Sequence, residues 1–206
     1  PCSTFSMAGS REDAWMKDKK FSEGQASQVL SELFFEFLDL GKKLQPKVIV
    51  AENVKGMLLG KAKGYCALIF KELRAMGYEP QLFLLDASSC GVPQKRERVF
   101  FVARKKSLGW EDLKMNVSAK RVLVDEALRA STVALEPSCE LTPAISIMYH
   151  QIPFGKSGAV AREGSFFNWM KLNPYSRAPT LAAANLYMHP TERRFLCVDE
   201  WRTMSS

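Results

Sequence analysis

The sequence predicts an α/β protein: the second half of a doubly wound sheet with helices on its faces, followed by a smaller, irregular, mostly-β lobe. Three observations predict it. Between Ser22 and Arg104 the chain passes through helix, strand, helix, strand and strand patterns in that order. The first strand-like run is short, apolar and rich in β-branched residues, as strands covered on both faces are. After Arg104 the regularity is lost, and a stretch rich in Pro, Ser, Gly and aromatic residues runs from Leu135 to Tyr175.

Residues 1–20 are polar and basic, with a Lys17-Asp18-Lys19-Lys20 cluster, and read as a mobile loop. Ser22 is placed to cap a helix, Glu23 favours its positive end, and Leu30, Leu33, Phe34, Phe37 and Leu38 recur at helical spacing. Gly41 and Pro46 are expected to end it. "PKVIVAEN" then reads as a strand buried on both faces. In "GYCALIFKELRAMGY" Cys66, Ile69, Phe70 and Leu73 share one helical face, and Gly77 stops the helix. "EPQLFLLD" and "RVFFVAR" are two further strands, joined by the loop "ASSCGVPQKRE". "VDEALRA" predicts a short helix, and "SRAPTLAAAN" and "RRFLCVDEWRTM" restore strand and helix character near the end. On this reading residues 1–106 are the later half of one domain and residues 107–206 a smaller domain whose last strand and helix return toward the first. The earlier half of the sheet is expected to lie outside the chain.

Composition excludes several classes. With 47% hydrophobic and 25% charged residues the chain is of ordinary globular type. Its longest apolar runs fall far short of the roughly 20 residues a spanning helix needs, and no secretory leader is visible. Cys2, Cys66, Cys90, Cys139 and Cys197 are scattered without a C-x-x-C pair, and the histidines are His150 and His189. This predicts neither a disulfide framework nor a zinc site, and reduced thiols in a cytoplasm. A formal charge of +7 suits a polyanionic partner.

Four stretches carry chemistry: "PCSTFS" at the start, "ENV" at 52–54 after an apolar strand, "GVPQKRERVFFVA" at 91–103 and "RAPTL" at 177–181. Each alone has an ordinary explanation: an inert thiol, a surface carboxylate, a solvated charged turn. "GKSG" at 155–158 is no phosphate loop, since that pattern needs a glycine where His150 stands.

Taken in order, the four stretches resemble the Pro-Cys, Glu-Asn-Val, Gln-x-Arg-x-Arg and arginine-threonine blocks of the DNA (cytosine-5) methyltransferase family. The resemblance covers essentially the whole chain, with about 107 to 175 matching only as the family's variable target-recognition region. It implies the later half of a Rossmann-like methyltransferase sheet and a small target-recognition lobe. It also implies an enzyme that transfers a methyl group from S-adenosylmethionine to carbon 5 of cytosine.

That chemistry gives each residue a role. Carbon 5 of cytosine is a poor nucleophile; addition of the Cys2 thiolate to carbon 6 makes it enamine-like, splitting one hard step into two easier ones. Negative charge then builds toward N3, where Glu52 is the expected proton donor. This role requires that its carboxyl hold a proton, in an apolar pocket on a tight loop after the strand. Arg98 corresponds to the arginine that reaches the cytosine O2, and Arg96 to the one that braces the closed catalytic loop and a backbone phosphate. Glu97 between them would point to the opposite face of a strand, placing the two arginines on one side. Gln94 is expected to be structural and near the substrate, Asn53 to hold its turn, and Thr180 to contact a phosphate beside the target base. The base must be flipped from the duplex to meet Cys2, and the opening segment with Ser6, Arg11 and the lysines would close over it.

Two departures from the family pattern follow. Ser3 stands where the family usually has glutamine. The glycine-rich loop and acidic strand ends that bind most of S-adenosylmethionine precede the Pro-Cys block, and a Gly-Asn segment follows beyond "RTMSS", so only Pro1 and Asn53 would border the cofactor. The chain is therefore expected to be a fragment or one part of a split enzyme, inactive by itself and prone to self-association. Double-stranded DNA is the expected partner, with no metal and no membrane, in a prokaryotic or phage restriction-modification setting in the cytoplasm. A tRNA cytosine-5 methyltransferase and a non-catalytic nucleic-acid-binding fragment are the competing readings.

Overall fold

The structure, a computed structural model, describes residues 18–19, 28–29, 33–60, 62–131, 136–161, 169–182 and 186–206. The chain divides into two compact units, Pro1–Leu85 with Glu97–Asn116 and Asp86–Arg96 with Val117–Ser206.

In the first unit β1 (Asp18–Lys19) and β2 (Gln28–Val29) pair antiparallel, with Asp18 opposite Val29. This pairing corrects the expected helix start, because the backbone at Gln28–Val29 is extended and α1 spans Leu33–Leu44. Ser22 and Glu23 lie outside the described residues. Phe34, Leu38 and Gly41 form the buried stripe of α1 at spacings of four and three. Gly41 does not end the helix as expected; it lies within it, because a Cβ there would come within 3.0 Å of Ile49 Cδ1. The chain leaves α1 at Gln45, with φ of 48° and its N–H bonded to the Gly41 carbonyl at 2.9 Å, just before Pro46.

β3 (Val48–Val54), β4 (Tyr78–Asp86) and β5 (Glu97–Lys105) form one sheet in the order β3-β5-β4, and β3 runs antiparallel to β5. β3 is not buried on both faces. Ile49 and Asn53 are buried, whereas Val50 is 56% exposed and Glu52 is also exposed, the alternation of a strand covered on one side. The covering helices are α1 and α2 (Ala62–Ala75), whose Phe34, Leu38, Ile69 and Leu73 share a core with Ile49, Val99 and Phe101. Phe34 and Phe101 meet edge to face at 5.4 Å. The middle strand is the one buried on both faces, from Phe101 to Arg104.

The second unit is less regular. The lobe expected to be mostly β carries, among the described residues, three helices and two short strands. The helices are α3 (Val124–Ala130), α4 (Pro143–Met148) and α5 (Val198–Ser205). β6 (Trp169–Lys171) and β7 (Leu186–Met188) pair parallel. "SRAPTL" makes a single bridge, Ala178 to Gln94, instead of a full strand. Val124, Leu128, Leu172, Tyr187 and Met204 form one core cluster, and Tyr149, Ile152, Trp169, Met188 and Phe195 another.

One cysteine expectation is overturned. Cys139 and Cys197, 58 residues apart, are joined as a disulfide, while Cys66 and Cys90 are free. Sequence spacing hid the pair because tertiary folding brings it together: the Phe195 N–H donates to the Cys139 carbonyl at 2.8 Å. Among the described residues no helix is long and apolar enough to cross a membrane, and no group of three or more side chains is arranged to hold a metal.

Candidate functional site

In the first unit the β3–β5 register sets Glu52 opposite Phe100 and Val54 opposite Arg98. Glu52 and Arg98 are thus diagonal neighbours on one face of the pair, and long side chains reach across that distance. They do: Arg98 Nε donates to Glu52 Oε1 at 2.9 Å, with side-chain exposures of 18% and 49%. Arg98 Nη1 also donates to the Glu97 carbonyl at 2.9 Å.

Two expectations for Glu52 are corrected by this arrangement. It lies within β3 rather than on a loop after it, and it is half exposed beside a guanidinium rather than enclosed by apolar groups. Asn53, the next residue, points to the other face and is buried, its Oδ1 accepting the Val54 N–H at 2.8 Å, in keeping with a holding role. Glu97 pairs with Lys55 Nζ at 2.8 Å.

In the second unit Asp86, the last residue of β4, organises the loop that follows. Asp86 Oδ1 accepts the N–H groups of Ser88 and Arg96, each at 3.1 Å, and Oδ2 accepts from Arg177 Nη1 at 3.2 Å. Arg177 Nη1 also donates to the Ser88 hydroxyl. Burial alone would raise the Asp86 carboxyl, but the bonds from Ser88 and Arg96 and the Arg177 charge outweigh it and hold the group below its ordinary value. Gly91, with φ of 91°, turns the loop after the short 3-10 segment Ala87–Cys90.

The "RAPT" segment is laced onto the same loop. Lys95 N–H donates to the Ala178 carbonyl at 2.8 Å and Ala178 N–H to the Pro93 carbonyl at 2.9 Å. The Thr180 hydroxyl donates to the Lys95 carbonyl at 2.8 Å, so in this state its hydrogen goes to the backbone. Gln94 is buried, its Nε2 3.3 Å from the Met204 carbonyl. β5 begins at Glu97, so the period-two alternation expected to place Arg96 and Arg98 on one side does not extend to Arg96, which precedes the strand. Pro1, Cys2, Ser3, Ser6 and Arg11 lie outside the described residues.

The pair of residues missed by sequence reasoning is Asp86 and Arg177. An aspartate closing a strand before a turn carries only a local signal, and its partner is 91 residues away.

The fold defines a class first. Over 85% of the chain the structure is similar to a DNA modification methyltransferase encoded within an E. coli prophage, with a TM-score of 0.69, 20% identity and 63% of that chain covered. This shows a methyltransferase fold of the Rossmann-like kind. The family model for C-5 cytosine-specific DNA methylase matches residues 1–139, and the chain belongs to that family. Among curated proteins it is similar to the type II methyltransferase M.FnuDI of Fusobacterium nucleatum, 38% identical over 108 residues, covering 52% of this chain and 28% of that protein. It is also similar to the orphan methyltransferase M.Rho11sI of Bacillus phage rho11s, 32% identical over 108 residues, covering 52% of this chain and 19% of that protein. The matched stretch therefore spans less than a third of either relative's length.

Proposed function

We propose that the enzyme to which these residues belong methylates carbon 5 of cytosine in double-stranded DNA through a covalent adduct at carbon 6. The observation that carries the reading is the contact between Glu52 and Arg98. N3 and O2 are adjacent acceptors on the edge of one cytosine ring, and recognising both needs an acid and a guanidinium already side by side. Cys2 adds to carbon 6 as the thiolate, Glu52 gives a proton to N3, and Arg98 donates to O2.

In this reading the steps follow an order. Entry of the flipped base draws Arg98 to O2 and brings N3 against the Glu52 carboxyl. Loss of the proton on carbon 5 and departure of Cys2 then restore the aromatic ring. Lys95, Arg96 and Arg177 on the loop and the "RAPT" segment supply positive charge for the DNA backbone, with Asp86 neutralising part of it.

S-adenosylmethionine supplies the methyl group in this reading. Of the residues expected to border it, Pro1 is outside the described residues and Asn53 has committed its Oδ1 to the Val54 N–H.

The test is mechanism-based trapping in an enzyme that joins this chain to the N-terminal portion of a relative. A DNA duplex carrying 5-fluorocytosine should give a covalent adduct with S-adenosylmethionine present, and Cys2→Ser should give none. Undiminished adduct in Cys2→Ser would remove Cys2 from the mechanism. Preferential methylation of a tRNA substrate would replace DNA as the polymer.

A further inference from the structure

We propose that Cys139 and Cys197 are a reversible thiol–disulfide pair that locks the second unit when oxidised, with Cys197 the thiol that reacts first. The inference does not depend on the proposed catalytic activity.

The two residues are held together by more than their sulfurs. Cys139 ends the 3-10 turn Pro137–Cys139, and its carbonyl accepts the Phe195 N–H at 2.8 Å. Glu140 bridges Arg194 in antiparallel fashion. These backbone contacts fix the Cα atoms 5.5 Å apart, inside the range that a disulfide spans without backbone movement, so the reduced pair is pre-aligned for closure.

The surroundings differ between the two sulfurs. Cys197 is the N-cap of α5: its Sγ accepts from the backbone of Glu200, and the Glu200 side chain accepts the Cys197 N–H at 2.8 Å. Arg194 Nη1 stands 3.5 Å from Sγ. A helix N-terminus favours a thiolate, which is the reacting form. Arg194 itself meets both oxygens of Glu200 at 2.7 Å and Glu192 Oε2 at 2.7 Å, so these carboxylates take up its charge and the helix N-terminus is what sets Cys197 apart. His189 adds a further polar group, its Nε2 3.7 Å from Glu200 Oε1.

The step balances with a small-molecule disulfide such as oxidised glutathione. The Cys197 thiolate attacks one of its sulfurs, forming a mixed disulfide and releasing one glutathione thiolate. Cys139 loses its proton and attacks the Cys197 sulfur, releasing the second. Two protein thiols are oxidised and one external disulfide is reduced to two thiols. Both cysteines are buried, so exchange is slow in either direction and the redox buffers must be given time to equilibrate.

The test uses the 206-residue chain equilibrated across glutathione redox buffers, alkylated, digested and weighed by mass spectrometry. A Cys139–Cys197 peptide should grow with the oxidised fraction while Cys66 and Cys90 stay alkylated. The oxidised chain should melt about 5 °C or more above the reduced one. Cys139→Ser should abolish that difference. In Cys139→Ser the remaining Cys197 should take up glutathione about tenfold faster than Cys139 does in Cys197→Ser. Free thiols at 139 and 197 in wild-type chain at every buffer ratio would overturn the pair without recourse to any variant. Equal or faster reaction at Cys139 would overturn the assigned order.

Discussion

Glu52 and Arg98 stand on neighbouring antiparallel strands with Oε1 and Nε 2.9 Å apart, two residues out of direct opposition. The pair is partly exposed, so its contribution to folding is small, about 1 kcal/mol or less. Its value lies in holding an acid next to a guanidinium. In the enzyme that joins this chain to the N-terminal portion of a relative, Glu52→Gln and Arg98→Ala should each slow methyl transfer by roughly 10²-fold or more. The melting temperature should move by only a few degrees. Methyl transfer by Glu52→Gln at the wild-type rate would make the carboxylate a surface group.

Asp86 should make the second unit sensitive to acid. Its folded-state carboxyl is held below the ordinary value, so its stabilising effect is complete above ~3.9 and is lost as pH falls from there through the folded value. Asp86→Asn removes that dependence and frees Arg177. Chemical denaturation of wild type and variant from pH 6 downward should show the stability gap closing in acid; a constant gap would mean that the contacts of Asp86 do not depend on its charge.

Arg194 and Glu200 form a bidentate pair with side-chain exposures of 10% and 1%. Removing Glu200 leaves Arg194 with Glu192 as a remaining carboxylate partner at 2.7 Å, so the loss falls below the about 3–5 kcal/mol of an unpaired buried charge. Glu200→Ala should therefore destabilise the second unit by about 1–3 kcal/mol, also costing the α5 cap at Cys197. Denaturant midpoints measure it. A shift under about 1 kcal/mol would show that water reaches the pair.

Among the described residues β3 has a sheet neighbour on one side only, and Val50 on it is exposed. An open strand edge invites pairing with another chain. The isolated 206-residue chain should self-associate in sedimentation, and Val50→Lys should reduce the association. An unassociated wild-type chain at high concentration would contradict this.

The net charge of +7 predicts weak DNA binding by the isolated chain that falls steeply with salt. Arg177→Ala should flatten the salt dependence if that residue meets the backbone. An unchanged slope would leave Arg177 to its contacts with Asp86 and Ser88.

The elements most legible in the sequence were those whose neighbours along the chain decide them. α2, β4, β5 and α3 appear within a residue or two of the expected stretches, because helical or strand periodicity and a following turn suffice to set them. The motif blocks "ENV", "QKRER" and "RAPT" were likewise readable, and with them the family. Other features belonged to the tertiary structure alone. Gly41 reads as a helix stop, yet Ile49 makes it a packing residue. The register of β3 on β5 joins Glu52 to Arg98, the Asp86 carboxylate gathers Arg177 from 91 residues away, and Cys139 meets Cys197 across 58. Local propensity reaches only a few residues along the chain; contacts between distant segments depend on which faces pack, and packing is settled only when the whole core forms.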